Sequence, residues 1–128
     1  MTCELSRILH VDDDDDIREV VSVALQMVGG FDLVQCASGR EALDKVVEAK
    51  PDLILLDVMM PGMDGPETAR ALKANPETAD IPIVFVTARG NDQSRGELLE
   101  AGGVDVIGKP FDPMTLSDQV RAVWDRRS

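Results

Sequence analysis

Five short apolar runs, each followed by a longer amphipathic stretch, constrain this chain more than any other feature. Residues 7–11, 33–37, 53–56, 83–86 and 104–107 read as strands. Within them LILL and IVFV are apolar without alternation, as in parallel strands covered on both faces. The stretches between carry helix-end signals. Ser38 and Glu41 form the S-x-x-E pattern of a capping box. Pro66 after Gly65 and Pro113 after Asp112 suit first helical positions. Asn91 is placed to cap the helix DQSRGELLEA, and Gly102 and Gly103 to end it.

Strands alternating with helices imply an α/β fold with helices on both faces of a parallel sheet. The expected architecture is a flavodoxin-like, doubly wound, five-stranded parallel sheet of order 2-1-3-4-5 with five helices. With 128 residues, one domain spanning 1–128 is expected. Such sheets bind ligands outside the carboxyl ends of their strands, where the winding direction reverses. The net charge of −11 disfavours nucleic acid or an anionic membrane as the direct partner. No run approaches the ~18 apolar residues of a membrane helix, and no signal-peptide core stands at the N-terminus. Cys3 and Cys36 make neither a disulfide framework nor a zinc cluster and read as free thiols. A cytoplasmic location is expected.

The strand ends carry the chemistry. Strand one runs into Asp12 and Asp13, strand three into Asp57, strand four into Thr87 and Ala88, and strand five into Lys109. In the expected order these strands are contiguous, so three carboxylates, a hydroxyl and an ammonium converge. Two ionised carboxylates ~4 Å apart repel by about 4 kcal/mol at an effective dielectric near 20. Such a cluster shifts pKa values or recruits a cation, and oxygen-only ligands suit Mg²⁺. An aspartate beside Mg²⁺, a lysine and a threonine has the parts needed to accept a phosphoryl group.

An EF-hand loop starting at Asp12 needs Gly at the sixth position and Glu at the twelfth, and the chain has Ile17 and Val23 there. Asp14, Asp15 and Asp16 read as the acidic start of helix one. His10 lies inside strand one and reads as a packed neutral residue. No G-x-G-x-x-G follows strand one, which argues against a dinucleotide site.

The segments ILHVDDDDDIR, LILLDVMMPGMDG, IVFVTA and IGKPF, in this order over residues 7–126, resemble the receiver domain of two-component response regulators. That resemblance implies phosphoryl transfer from a phosphohistidine on a sensor histidine kinase or phosphotransfer protein to Asp57. It also implies that Asp13, Asp57 and the Met59 carbonyl hold Mg²⁺, with Asp12 acting mainly through a metal-bound water. Lys109 would pair with the phosphoryl group, over a Lys–Pro bond that in this family is usually cis. Thr87 and the Ala88 N–H would bind its oxygens. Phosphorylation would then switch binding to a downstream protein.

Two positions depart from the family pattern. Val106 stands where Tyr or Phe is common, and Gly108 where Thr or Ser is frequent. The expected readout is therefore repacking of Val106 and of loop 89–91 rather than an aromatic swing. The main expectation is a switch that catalyses only its own phosphorylation and dephosphorylation, in a stand-alone regulator or, as the alternative, in a receiver cut from a longer protein. The alternatives are a small Mg²⁺-dependent aspartyl-phosphate phosphatase or phosphotransferase, and a pseudo-receiver, which would lack an acid, the Thr or the Lys.

Overall fold

A computed structural model describes residues 5–88, 92–109 and 112–126. The strands are β1 (Arg7–Val11), β2 (Asp32–Cys36), β3 (Leu53–Asp57), β4 (Ile83–Thr87) and β5 (Gly103–Gly108). They form one parallel sheet of order β2-β1-β3-β4-β5. The fold class, strand order and connectivity are those expected. The differences are small: β2 lies one residue earlier, and β3 and β4 extend to include Asp57 and Thr87. Asp57 is thus held in the ladder opposite Val86 rather than in the loop beyond it.

The helices are α1 (Asp15–Ser22), α2 (Gly39–Ala49), α3 (Gly65–Ala74), α4 (Asp92–Glu100) and α5 (Leu116–Arg126). Two cores result. Ala42, Val46, Ala69, Leu72, Leu98 and Ala101 close one face of the sheet over Leu9, Ile54, Ile83 and Phe85. Val21, Leu25, Leu116 and Val120 close the other over Ile8, Leu53, Leu55, Val84 and Val86. The winding reverses at β1, so right-handed crossovers send α1 to one face and α2, α3 and α4 to the other. The central strands β3 and β4 are buried along their whole length, which explains their unbroken apolar runs.

The caps refine the sequence reading. Asp14 caps α1 by accepting from the N–H groups of Asp16 and Ile17. Past Ser22 the helix widens into a π-helical segment, Val23–Val28, which ends at Gly29. Ser38 accepts from Glu41 N as expected, but the Glu41 carboxylate reaches back to Ala37 N, one residue earlier than in a standard capping box. Asp64 and Glu67 form a complete capping box that spans Pro66, beyond what the sequence reading identifies. Helix α5 begins at Leu116 rather than Pro113. The Asp112 carbonyl accepts from both Thr115 and Leu116, and its carboxylate takes Met114 N, so 112–115 form a turn first. Gly102 ends α4 at φ +120°, whereas Gly103 opens β5, where a Cβ would lie 2.6 Å from the Phe85 ring. Cys3, the Asn91 cap, loop 89–91 and the Lys109–Pro110 bond lie outside the described residues.

Candidate functional site

Backbone ties set the site before any side chain does. Asp12 N donates to Cys36 O at 3.1 Å, Val58 N to Val86 O at 3.1 Å and Lys109 N to Thr87 O at 2.8 Å. Each strand end is thereby fastened to its neighbour. The chain after β3 folds back so closely that Gly65 N bonds Val58 O at 3.0 Å. A Cβ at Gly65 would lie 2.5 Å from the Asp57 carbonyl oxygen, so only glycine permits this approach.

On this frame Asp12, Asp13 and Asp57 each present a carboxylate oxygen within 4.8 Å of the others. Asp12 and Asp57 are buried, Asp13 is exposed and Lys109 is half-buried. Lys109 Nζ donates to Asp57 Oδ1 at 3.0 Å and to Asp12 Oδ2 at 3.3 Å. Asp12 Oδ1 accepts from Asp14 N at 2.9 Å. Among the described residues, Lys109 is the sole hydrogen-bond partner of the Asp57 carboxylate.

The charges do not balance: three carboxylates face one ammonium. At the observed spacing each carboxylate pair repels by about 3–4 kcal/mol at an effective dielectric near 20. Burial raises the Asp57 pKa, the Lys109 hydrogen bond lowers it, and the Asp12 and Asp13 charges raise it further, with a net upward direction. Burial alone would lower the Lys109 pKa, but its bonds to Asp57 and the nearby Asp12 charge outweigh that and raise it. The Asp57 shift thus comes first from burial and then from the Asp12 and Asp13 charges, and the Lys109 shift comes from its carboxylate neighbours Asp57 and Asp12. A compact set of oxygen donors with excess negative charge fits a hard divalent cation such as Mg²⁺.

The other predicted residues lie on the adjoining side. Alternation along β4 places Thr87 with Ile83 and Phe85, toward α3 and α4. There it lines a groove of about 230 Å³ with Val58, Met59, Arg70, Glu97 and Leu98. Met59 is 74% exposed at its rim, and Ala88 is the exposed residue after β4. Val106 is partly buried against the α2–α4 core, so it joins β5 to that core by packing.

His10 is fully buried in β1, and burial pushes its pKa down to about 3, helped by the Lys109 and Arg18 charges. Gln35 Nε2 lies 3.1 Å from its Nδ1 and also donates to Arg18 O at 2.8 Å. It is a neutral packed residue, as its place in the strand implied. Sequence reasoning missed Arg18, whose guanidinium reaches back to Asp12 O at 2.7 Å.

A doubly wound parallel sheet with a carboxylate cluster and a lysine at its carboxyl edge defines the class. The family model described as "Response regulator receiver domain" matches residues 8–121. This chain belongs to that family. It is similar to the phosphate regulon transcriptional regulatory protein PhoB of Pseudomonas aeruginosa, at 44% identity over 93% of this chain and 52% of that protein. The DNA-binding response regulator MtrA of Mycolicibacterium paratuberculosis is 42% identical over 91% of this chain and 50% of its own length. Among solved structures, the chemotaxis response regulator CheY4 of Vibrio cholerae superposes with a TM-score of 0.87 at 34% identity, covering 94% of this chain and 99% of that one. The chain spans about half the length of the curated relatives it matches. No described helix is long and apolar enough to cross a membrane.

Proposed function

We propose that Asp57 is the phosphoacceptor and that residues 1–128 act as one receiver. The observation that carries this reading is the Asp57 carboxylate itself: buried to 4% exposure, crowded by Asp12 and Asp13, and bonded through one oxygen to Lys109. The other oxygen is the nucleophile. It forms the new P–O bond as the P–N bond of a phosphohistidine breaks, and the departing imidazole nitrogen keeps the electron pair. Asp13, Asp57 and the Met59 carbonyl are the groups to hold Mg²⁺, with Asp12 acting through a water. When bound, the ion supplies the positive charge that the cluster lacks, next to the transferred phosphoryl oxygens.

Lys109, which bonds Asp57 Oδ1 at 3.0 Å, is the cation for the phosphoryl group. Thr87, turned toward the α3–α4 groove, and the Ala88 N–H are the donors for its remaining oxygens. Drawing Thr87 inward changes the wall of that groove, and Val106 beside it repacks. This is the route by which phosphorylation alters the surface offered to a downstream protein.

The phosphodonor is a sensor histidine kinase or a phosphotransfer protein. The chain turns over no external substrate and catalyses only the gain and loss of its own phosphoryl group. Its net charge of −11 makes this domain itself a poor ligand for nucleic acid. DNA binding named for the longer MtrA relative belongs to that whole protein. The test is labelling by a phosphohistidine donor with Mg²⁺ present. The wild-type chain takes up label that alkali releases, and Asp57→Asn takes up none. Label persisting at wild-type level in Asp57→Asn contradicts the assignment.

A further inference from the structure

Asp13 is the least supported member of the carboxylate cluster. It is exposed, and among the described residues its carboxylate makes no hydrogen bond. Among the described residues nothing bonded to its side chain aims it, so its direction there is set by the backbone. Both peptide groups flanking Asp13 are pinned. On one side the Asp12 carbonyl accepts from Arg18 Nη1 at 2.7 Å. On the other, Asp14 N donates to Asp12 Oδ1 at 2.9 Å.

Arg18 is itself held from three directions. Its second guanidinium nitrogen pairs with Asp15. Its own N–H donates to Asp14 O at 3.0 Å, and its carbonyl accepts from Gln35 on β2 at 2.8 Å. A cation in the first turns of a helix opposes the helix dipole. Its presence there calls for a compensating role, and the bond to the Asp12 carbonyl is the contact that reaches the site. That bond leaves every carboxylate oxygen of the cluster untouched.

We propose that Arg18 is a positioning residue that presets the Asp13 carboxylate for a divalent cation, an inference that rests on the metal reading above. The predicted sign separates this role from plain electrostatics. Removing a positive charge beside an acidic site strengthens cation binding by Coulomb's law. Loss of positioning weakens it, by about tenfold or more for a group that orients a metal ligand from behind.

The test is calorimetric titration of the whole chain with Mg²⁺, with folding of each variant checked by circular dichroism. Arg18→Gln, which stays close in size, is expected to weaken Mg²⁺ binding about tenfold. Arg18→Lys, which keeps the charge and a donor, is expected to recover part of that loss. Asp13→Asn is expected to weaken binding as well, and adding Arg18→Gln to it to cost little more, because the two act through one carboxylate. Unchanged or tighter binding in Arg18→Gln overturns the inference while leaving the metal reading intact. So does a full additional loss in the double variant. Absence of Mg²⁺ binding by the wild-type chain, or no effect of Asp13→Asn, overturns the metal reading and the inference together.

Discussion

Strand β5 and the residue just past its end carry two charged groups, Asp105 and Lys109, four positions apart, whose surroundings are opposite. Asp105 is one carboxylate between two guanidinium groups. Its Oδ1 accepts from Arg95 of α4 at 2.6 Å and from Val106 N at 2.8 Å, and its Oδ2 from Arg126 of α5 at 2.5 Å. Lys109 is one ammonium among three carboxylates. The first arrangement saturates its central charge and ties α4, β5 and α5 together. The second leaves negative charge uncompensated, and the Asp12 and Asp13 charges add to the upward pKa shift that burial gives Asp57. Charge clustering alone therefore does not mark a site in this fold. What distinguishes the cluster at the carboxyl edge is a deficit of counter-charge at buried groups.

The largest effect is expected where the single cation is removed from the carboxylates. Lys109→Met leaves Asp12 and Asp57 buried without their ammonium, and should destabilise the chain by about 2–4 kcal/mol in chemical denaturation without Mg²⁺. Phosphoryl uptake should fall steeply while Mg²⁺ affinity does not weaken. Stability equal to wild type would mean that the cluster is not short of positive charge.

Removing the central charge of the saturated cluster probes the other half of the contrast. Asp105→Asn leaves two partly exposed arginines without their carboxylate, and should cost about 1–2 kcal/mol in denaturant unfolding. It should leave Mg²⁺ affinity within error of wild type. A marked change in affinity would show that the two clusters are coupled.

Acid titration separates two buried groups by sign. His10 has a folded pKa depressed to about 3 from 6.5. Its contribution is present above pH 6.5 and is lost as pH falls toward 3, at about 1.4 kcal/mol per unit within that window. Asp57 has a raised folded pKa. Its contribution is present at low pH and is lost as pH rises through the folded value. Without Mg²⁺, Asp57→Asn should remove that second loss and raise stability near neutral pH. His10→Gln should flatten the acid side of the profile. Profiles that overlay wild type in both variants would contradict these assignments.

The smallest effect is expected far from the site. Arg7 pairs with Asp32 at the other edge of the sheet, with side chains 42% and 55% exposed. Asp32→Asn should change stability by less than about 1 kcal/mol. A larger loss would place structural weight on exposed pairs.

The residues of the site are legible because they stand at or just past the ends of apolar strands, and strand order follows from alternation and handedness. Asp12, Asp57 and Lys109 meet as that logic requires. What stayed hidden depends on directions that residue types do not encode. Thr87 faces the α3–α4 side because β4 alternates, and there it lines the groove with Val58 and Leu98. The Asp64–Glu67 capping box was present as D-x-x-E, but Pro66 drew the reading to the next residue. Pro113 was compatible with a helix start, and only the two N–H groups converging on the Asp112 carbonyl show that a turn comes first. Arg18 could have been suspected as a cation placed against the dipole of α1. Its contact with the Asp12 carbonyl emerges only once the helix is docked.

The central claim is that the counter-charge deficit around Asp57 makes this carboxylate, and no other, the site of acyl phosphate formation. It is tested most directly by phosphorylating the chain from a phosphohistidine donor with Mg²⁺, reducing the product with borohydride and mapping the modified residue by mass spectrometry. The account predicts that residue 57 alone is converted to homoserine. Conversion at Asp12, Asp13 or Asp105, or stable label on His10 with residue 57 intact, would contradict it.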